Sequence, residues 1–345
     1  MQKAIYSIAM NNILKFSEDG KTVIGVNDKN ITNITIPDGV TAFGRHPFAG
    51  CNALESIDIP SSVVDIPEWG LNNGTALRSI NVSVNNPNYA SLDGVLYDKK
   101  LKTIIRFPSN KSITEYNIPN SVTKIKHSAF YGCKTLKSIN IPCSVTTIGN
   151  IAFCGCKALQ SINVAENNKQ YASVDGILFN KDLTSILRFP IRKDLKVYEI
   201  PNSITNIGNY AFNECTALQS INIPNSVTNI GNYTFNECTA LQSINIPNSV
   251  TNIGNCAFFR CEALQSIDIP NSITSIGEWA FRECRALQSI HMRITDIEDY
   301  QIDEFAFDRI DTEKCVLYIP EGTELAYRNH PAFGKFKNIE IEKQD

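Results

Sequence analysis

The sequence predicts a β-rich solenoid, a stack of short, near-identical coils built from brief strands and a tight helical or 3-10 turn. Two observations predict it. Residues Ile200–Asn222 read "IPNSITNIGNYAFNECTALQSIN", and the next 23, Ile223–Asn245, differ only at Ile204/Val227 and Ala211/Thr234. The Ile-Pro dipeptide also recurs with its proline at 37, 60, 119, 142, 201, 224, 247, 270 and 320, five of these intervals being 23 residues. A fixed period of about 20–30 residues means one supersecondary unit per coil, each unit touching only its two neighbours.

The elements follow in order. Two intervals of 59 residues each follow a 23, so a longer period of 82 links Pro37, Pro119 and Pro201. The long intervals carry sister insertions that read as β-hairpins. "YASLDGVLYDKKLKTIIRFP" (Tyr89–Pro108) matches "YASVDGILFNKDLTSILRFP" (Tyr171–Pro190), and a degenerate third copy lies at Asn11–Val26. The expected organisation is an N-terminal hairpin or cap over 1–36, then repeats over 37–294 with insertions near 85–110 and 167–192. A C-terminal cap over 295–345 completes one continuous elongated domain.

Within a unit, "LQSINIP" alternates. Leu218, Ile221 and Ile223 face inward and Ser220 and Asn222 outward, the pattern of a strand with one buried face. Pro224 lacks a backbone donor and ends that strand. Val227 and Ile230 begin a second, shorter extended piece, and Gly231 is expected to permit the turn after it. Phe235 and Cys238, three apart in "NYTFNEC", have the spacing of one tight turn.

Stacking then implies columns. Phe48, Phe130, Phe153, Phe212, Phe235, Phe258, Phe281 and Phe307 are expected in one internal file, broken only by Leu71 in "PEWGLNNG". Seven of the eleven cysteines (51, 133, 156, 215, 238, 261 and 284) share one repeat position. Parallel side chains about 4.8 Å apart suit a disulfide poorly, since its Cβ atoms converge to about 3.8 Å. With no CxxC pair and four scattered histidines, zinc spacing is missing too. The column is therefore read as small buried hydrophobes, with Cys143, Cys154, Cys256 and Cys315 off the column and more exposed.

The unit "LQSINIPNSVTNIGNYAFNEC" resembles the BspA-like (Treponema pallidum-type) class of leucine-rich repeat. L-x-x-I-x-I-P, V-x-x-I-G and A-F-x-x-C occur in order over nearly the whole chain, and "CVLYIPEGTELAYRNHPAFGKFKNIEI" (Cys315–Ile341) is similar to that family's C-terminal cap. Pro67 and Gly74 replace the expected Gly and Cys, and Lys126 replaces a Gly. The resemblance implies a right-handed leucine-rich-repeat solenoid and a bacterial cell-surface or secreted protein that adheres to host or matrix macromolecules. It implies no catalytic residues.

Composition narrows the function classes. The net charge of −3 is dispersed over 345 residues, 43% of them hydrophobic, so no basic stripe suits nucleic acid. No run approaches the roughly 20 apolar residues of a membrane span, and "MQKAIYSIAMNN" lacks the apolar core of a signal peptide. Either a leader was removed or the protein stays inside the cell. Glycine-loop, GxSxG and HExxH motifs are missing, so no catalytic, cofactor or metal residue is expected. Glu298, Asp299, Asp303 and Glu304 read as a solvated acidic face.

Two surfaces remain as binding candidates. One is the outward strand face, whose columns include Gln219, Ser220, Asn222, Gln242, Ser243, Asn245, Gln265 and Asp268. The other is the pair of hairpins, with Tyr97 and Arg106 matched by Phe179 and Arg188. The expected partner is a protein or glycan met by a monomeric, non-catalytic module. The alternative is an intracellular repeat scaffold, because secreted chains usually pair their cysteines.

Overall fold

The computed structural model describes residues 13–71, 76–191 and 195–342. The start read for a leader, residues 1–12, and Gly74 lie outside them. The described residues form a β-solenoid of about 14 turns, and by their contacts they divide into two units, 13–159 with 164–170 and 160–163 with 171–342.

In the second unit each coil presents three hydrogen-bonded sides. On the first, Val197–Glu199, Ser220–Asn222 and Ser243–Asn245 pair in parallel, Ser220 opposite Ser243 and Ile221 opposite Ile244. Ser266–Ile269, Ser289–Met292, Val316–Pro320 and Asn338–Glu342 form the next sheet. On the second side Asn206–Ile207, Asn229–Ile230, Asn252–Ile253, Ser275–Ile276 and Gln301–Ile302 pair the same way. The third side is a run of turns that also bonds from coil to coil. Tyr233 N–H donates to Asn255 O at 2.8 Å, Phe235 N–H to Ala257 O at 2.7 Å and Glu237 N–H to Phe259 O at 2.8 Å. Within the turn, Cys238 N–H donates to Phe235 O at 3.1 Å, the closure that the Phe–Cys spacing predicts. Tyr233 (φ 56°) and Glu237 (φ 58°) lie in the left-handed region, which non-glycine residues enter at a cost of order 1–3 kcal/mol. Their N–H groups are donors of two of these inter-coil bonds, and the stack holds them there.

Gly231 has a different role from the expected one. Its φ is not positive; a Cβ there would lie 2.7 Å from Asn209 Oδ1 and 2.8 Å from Asn209 N. Asn209 Oδ1 accepts the Asn232 N–H at 2.8 Å, and Asn232 Oδ1 accepts the Asn255 N–H at 2.8 Å. The Gly-Asn dipeptide is thus one device, in which glycine leaves room for the asparagine of the preceding coil.

The first unit repeats the scheme with Asn33–Thr35, Ser56–Ile59 and Ser79–Val82 on one side. On the other, Thr103–Arg106, Lys124–Ile125 and Thr147–Ile148 pair in parallel. Each insertion is a hairpin whose outer strand returns as a coil strand. Tyr89–Leu92 pairs antiparallel with Val95–Asp98, and that strand with Thr103–Arg106; Tyr171–Val174, Ile177–Asn180 and Ser185–Arg188 do likewise. The register shifts between Leu96 and Tyr97 and between Leu178 and Phe179. A matching shift between Lys15 and Phe16 in Leu14–Phe16 against Thr22–Val26 identifies the third copy. Buried Asn86 and Asn168 hold the hairpin entries, each donating Nδ2 to two carbonyls of the previous coil.

The phenylalanine files are longer than expected in one respect and interrupted in another. In the second unit Phe189, Phe212, Phe235, Phe258, Phe281 and Phe307 stack with centroids 4.9–5.3 Å apart, and Phe333 of the cap closes the file at 5.3 Å. In the first, Phe107, Phe130 and Phe153 stack at 5.1 and 5.6 Å. Phe48 meets Phe43 edge-on instead, in a core shared with buried Leu71. Phe107 and Phe189 belong to the hairpins; they start files because the returning strand takes a coil position, as Phe107 N–H donating to Ala129 O at 2.7 Å shows.

Each buried ring contributes roughly 1.5–3 kcal/mol by area, plus about 0.5–1.5 kcal/mol per ring pair. Phe235 has a stacked ring on both sides. Phe235→Ala is expected to lower the unfolding free energy by about 3–5 kcal/mol, measured by urea denaturation. A loss below about 1 kcal/mol would mean that the file is not a source of cohesion.

Candidate functional site

The strand-face residues come together in the second unit. Ser220 lies opposite Ser243 and Asn222 opposite Asn245. The glutamine column is joined through its backbone, Gln242 N–H donating to Gln219 O at 2.9 Å, Gln265 to Gln242 at 3.3 Å and Gln288 to Gln265 at 2.8 Å. Gln242, Ser243, Asn245 and Gln265 are exposed, while Gln219, Ser220 and Asp268 are half-buried.

In the first unit the corresponding side chains bond to each other across coils. Ser56 Oγ donates to Asn33 Oδ1 at 2.7 Å and Asn81 Nδ2 to Asp58 Oδ1 at 2.8 Å. In the second, the side-chain amides of Gln219, Asn222, Gln242, Asn245 and Gln265 bond to nothing among the described residues. Their donors and acceptors face solvent.

This amide face ends in a charged and aromatic cluster. Asp268 takes a two-pronged bond from Arg293, Nε to Oδ1 at 3.1 Å and Nη2 to Oδ2 at 3.0 Å. Arg293 Nη1 also lies 2.8 Å from Glu342 Oε2. His291 stacks on Tyr318 at 4.6 Å, and its Nδ1 is 3.2 Å from Glu342 Oε2. The bonds Arg293 donates to Asp268 and the field of Glu342 hold Arg293 further in its charged form. Sequence reasoning missed Arg293, Tyr318 and Glu342, since two of them come from the cap; His291, which breaks the asparagine column, was the available signal.

The second candidate surface is corrected. Tyr97, Arg106, Phe179 and Arg188 are all buried, because the hairpins pack inward. Tyr97 shares a hydrogen bond between hydroxyl groups with Tyr116. Arg106 Nη1 donates to Ser128 O at 2.9 Å, and Arg188 Nη1 donates to Tyr210 O at 2.6 Å. Ser128 and Tyr210 are left-handed turn residues 82 apart, so each arginine caps the turn carbonyl of the first coil after its insertion.

All eleven cysteines carry thiols rather than disulfides. In the column the thiol is a donor: Cys156, Cys238, Cys261 and Cys284 give Sγ–H to the carbonyls of Phe130, Phe212, Phe235 and Phe258 at 3.0–3.3 Å. Burial pushes the Cys238 and Cys261 thiols far up and that of Cys284 up to about 12. The off-column residues depart from expectation. Cys154, Cys256 and Cys315 are buried and Cys143 alone is exposed. Among the described residues no group of three His, Cys, Asp or Glu side chains is placed to hold a metal ion. No helix among them is long and apolar enough to cross a membrane.

Residues 26–110, 104–186 and 188–322 match the BspA type leucine rich repeat region, in six copies. The chain belongs to the BspA-type leucine-rich repeat family. Among solved structures, a leucine rich cell surface protein from Faecalibacterium prausnitzii A2-165 is similar at 26% identity and a TM-score of 0.54, over 96% of this chain and 93% of that one. The pneumococcal vaccine antigen PcpA shares the fold at 19% identity and a TM-score of 0.56, over 96% of this chain and 82% of the other. No curated protein matches the sequence.

The BspA-type repeat explains the cysteine as well as the phenylalanine, since both serve the coil interior. Titration of native protein with an aromatic disulfide reagent is expected to modify Cys143 at once and the other ten thiols only after unfolding. Rapid reaction of several thiols in native protein would contradict the buried column.

Proposed function

We propose that this BspA-type chain is a non-catalytic binding module, displayed at a bacterial surface or secreted, that engages a protein or glycan through the strand face of its second unit. The observation that carries this reading is the row of unengaged amides at Gln219, Asn222, Gln242, Asn245 and Gln265. Folding needs only their backbones, and the equivalent side chains of the first unit are tied to one another. A solenoid strand face presents many such groups at one spacing, so weak single contacts with a repetitive partner add through effective concentration. Likeness to a cell surface protein supports the location. The Asp268–Arg293–Glu342 cluster with His291 and Tyr318 supplies the aromatic and arginine character that strong contact sites favour.

One observation favours a second reading, an intracellular scaffold. Eleven thiols without a disulfide suit a reducing compartment. Fractionation of the source cells separates the two: the surface reading places the protein in the surface or secreted fraction, and the scaffold reading in the cytosol.

The test of binding is an array of matrix proteins and glycans probed with the intact chain and with a Gln242→Lys/Gln265→Lys variant, whose substituted positions are exposed. At least one ligand is expected to bind, and the variant to lose roughly tenfold or more in affinity. Equal binding by both chains would move the site off the strand face.

A further inference from the structure

We infer that a groove on the second side of the second unit is a separate site for a neutral oligosaccharide. The groove has a volume of about 600 Å³ and runs over the strands Asn252–Ile253, Ser275–Ile276 and Gln301–Ile302. This is within the roughly 300–1,000 Å³ of small-ligand sites.

The repeat builds the floor and its interruption builds the wall. Over three coils, at 205–209, 228–232 and 251–255, this side carries Thr, Asn, Ile, Gly and Asn in order, so the surface between the asparagine columns is low. At the last coil Gln301 lies opposite Ser275 and Ile302 opposite Ile276. That register puts Tyr300 where Thr274 stands one coil earlier, and Asp303 where Gly277 stands. Larger polar side chains close the end of an otherwise shallow trough.

The groups facing the groove are preorganised. Asn232 Oδ1 is committed to Asn255 N–H, and Asn255 Oδ1 to Glu278 N–H at 3.0 Å. Each amide is thereby oriented, and its Nδ2 keeps its hydrogens for a ligand, with no acceptor among the described residues. The side chains of Gln301 and Glu278 are exposed and likewise unengaged. The lining therefore mixes fixed donors with acceptors, carries two carboxylates in Glu278 and Asp303, and includes no Lys, Arg or His.

That chemistry selects the ligand. An anionic group would meet carboxylates and no cation, and an apolar ligand would strip water from amides without replacing its bonds. A hydroxyl both donates and accepts, so a polyol satisfies this mixed set of donors and acceptors, with the half-buried Tyr300 at the groove wall. This site uses different residues from the strand face and stands whether or not that face binds.

The test is a panel of neutral oligosaccharides, sulfated heparin oligosaccharides and a lysine-rich peptide, screened against the intact chain and followed by calorimetry on the strongest binder. A neutral oligosaccharide is expected to bind. Gln301→Ala should weaken it roughly fivefold, in the range of one neutral hydrogen bond, and Glu278→Ala roughly tenfold, as for a bond to a charged group. Gln242→Lys/Gln265→Lys should leave this binding unchanged, which separates the groove from the strand face. The inference is overturned if no neutral oligosaccharide binds, if both groove variants bind as the parent does, or if only the lysine-rich peptide is held.

Discussion

Within each unit the fold depends on one constraint: successive coils hydrogen-bond in register, so most residues meet their own equivalent one period away. Ile221 meets Ile244, Asn206 meets Asn229, and Phe212 meets Phe235. A side chain that packs well against its own copy therefore packs well at every coil, and one that does not fails at every coil. Phenylalanine rings stack, asparagine amides hand a bond along the column, and cysteine thiols reach the carbonyl of the previous phenylalanine. Near-identical repeats are the sequence-level consequence.

The same constraint explains how charge is handled where the columns change. Glu283 is buried, yet Arg260, Arg285 and Arg309 reach it at 3.0–3.2 Å. Burial alone would raise its carboxyl, but the bonds from Arg260 and Arg309 and the field of Arg285 hold it below the usual range. Arginines one coil to either side of a glutamate supply the compensation that a column of identical charges would deny. The insertions follow the same logic, Arg106 and Phe107 starting a run of coils in one unit and Arg188 and Phe189 in the other.

Much of the fold was legible because periodicity is a direct record of contact. The proline spacing, the inward Leu218, Ile221 and Ile223, and the cysteine column all translate into neighbours one coil apart. What was not legible depends on distances that spacing does not encode. Gly231 reads as a turn former until Asn209 Oδ1 is found where its Cβ would be. Tyr97 and Arg188 look like a repeated surface until the hairpin strands pack onto the coils and bury them. The strand-face columns were visible from alternation, but the cross-coil side-chain bonds of the first unit and the unengaged amides of Gln219, Asn222, Gln242, Asn245 and Gln265 in the second show only in the hydrogen bonds. The groove was invisible, because it arises where Tyr300 and Asp303 end a column.

The most direct test of the central claim is removal of one whole coil, residues 224–246, which joins Ile223 to Pro247 at equivalent positions. If coils interact only through their equivalents, the shortened chain folds, unfolds cooperatively in urea and keeps its remaining column thiols protected. A shortened chain that is unfolded, or that exposes those thiols under native conditions, would contradict the account.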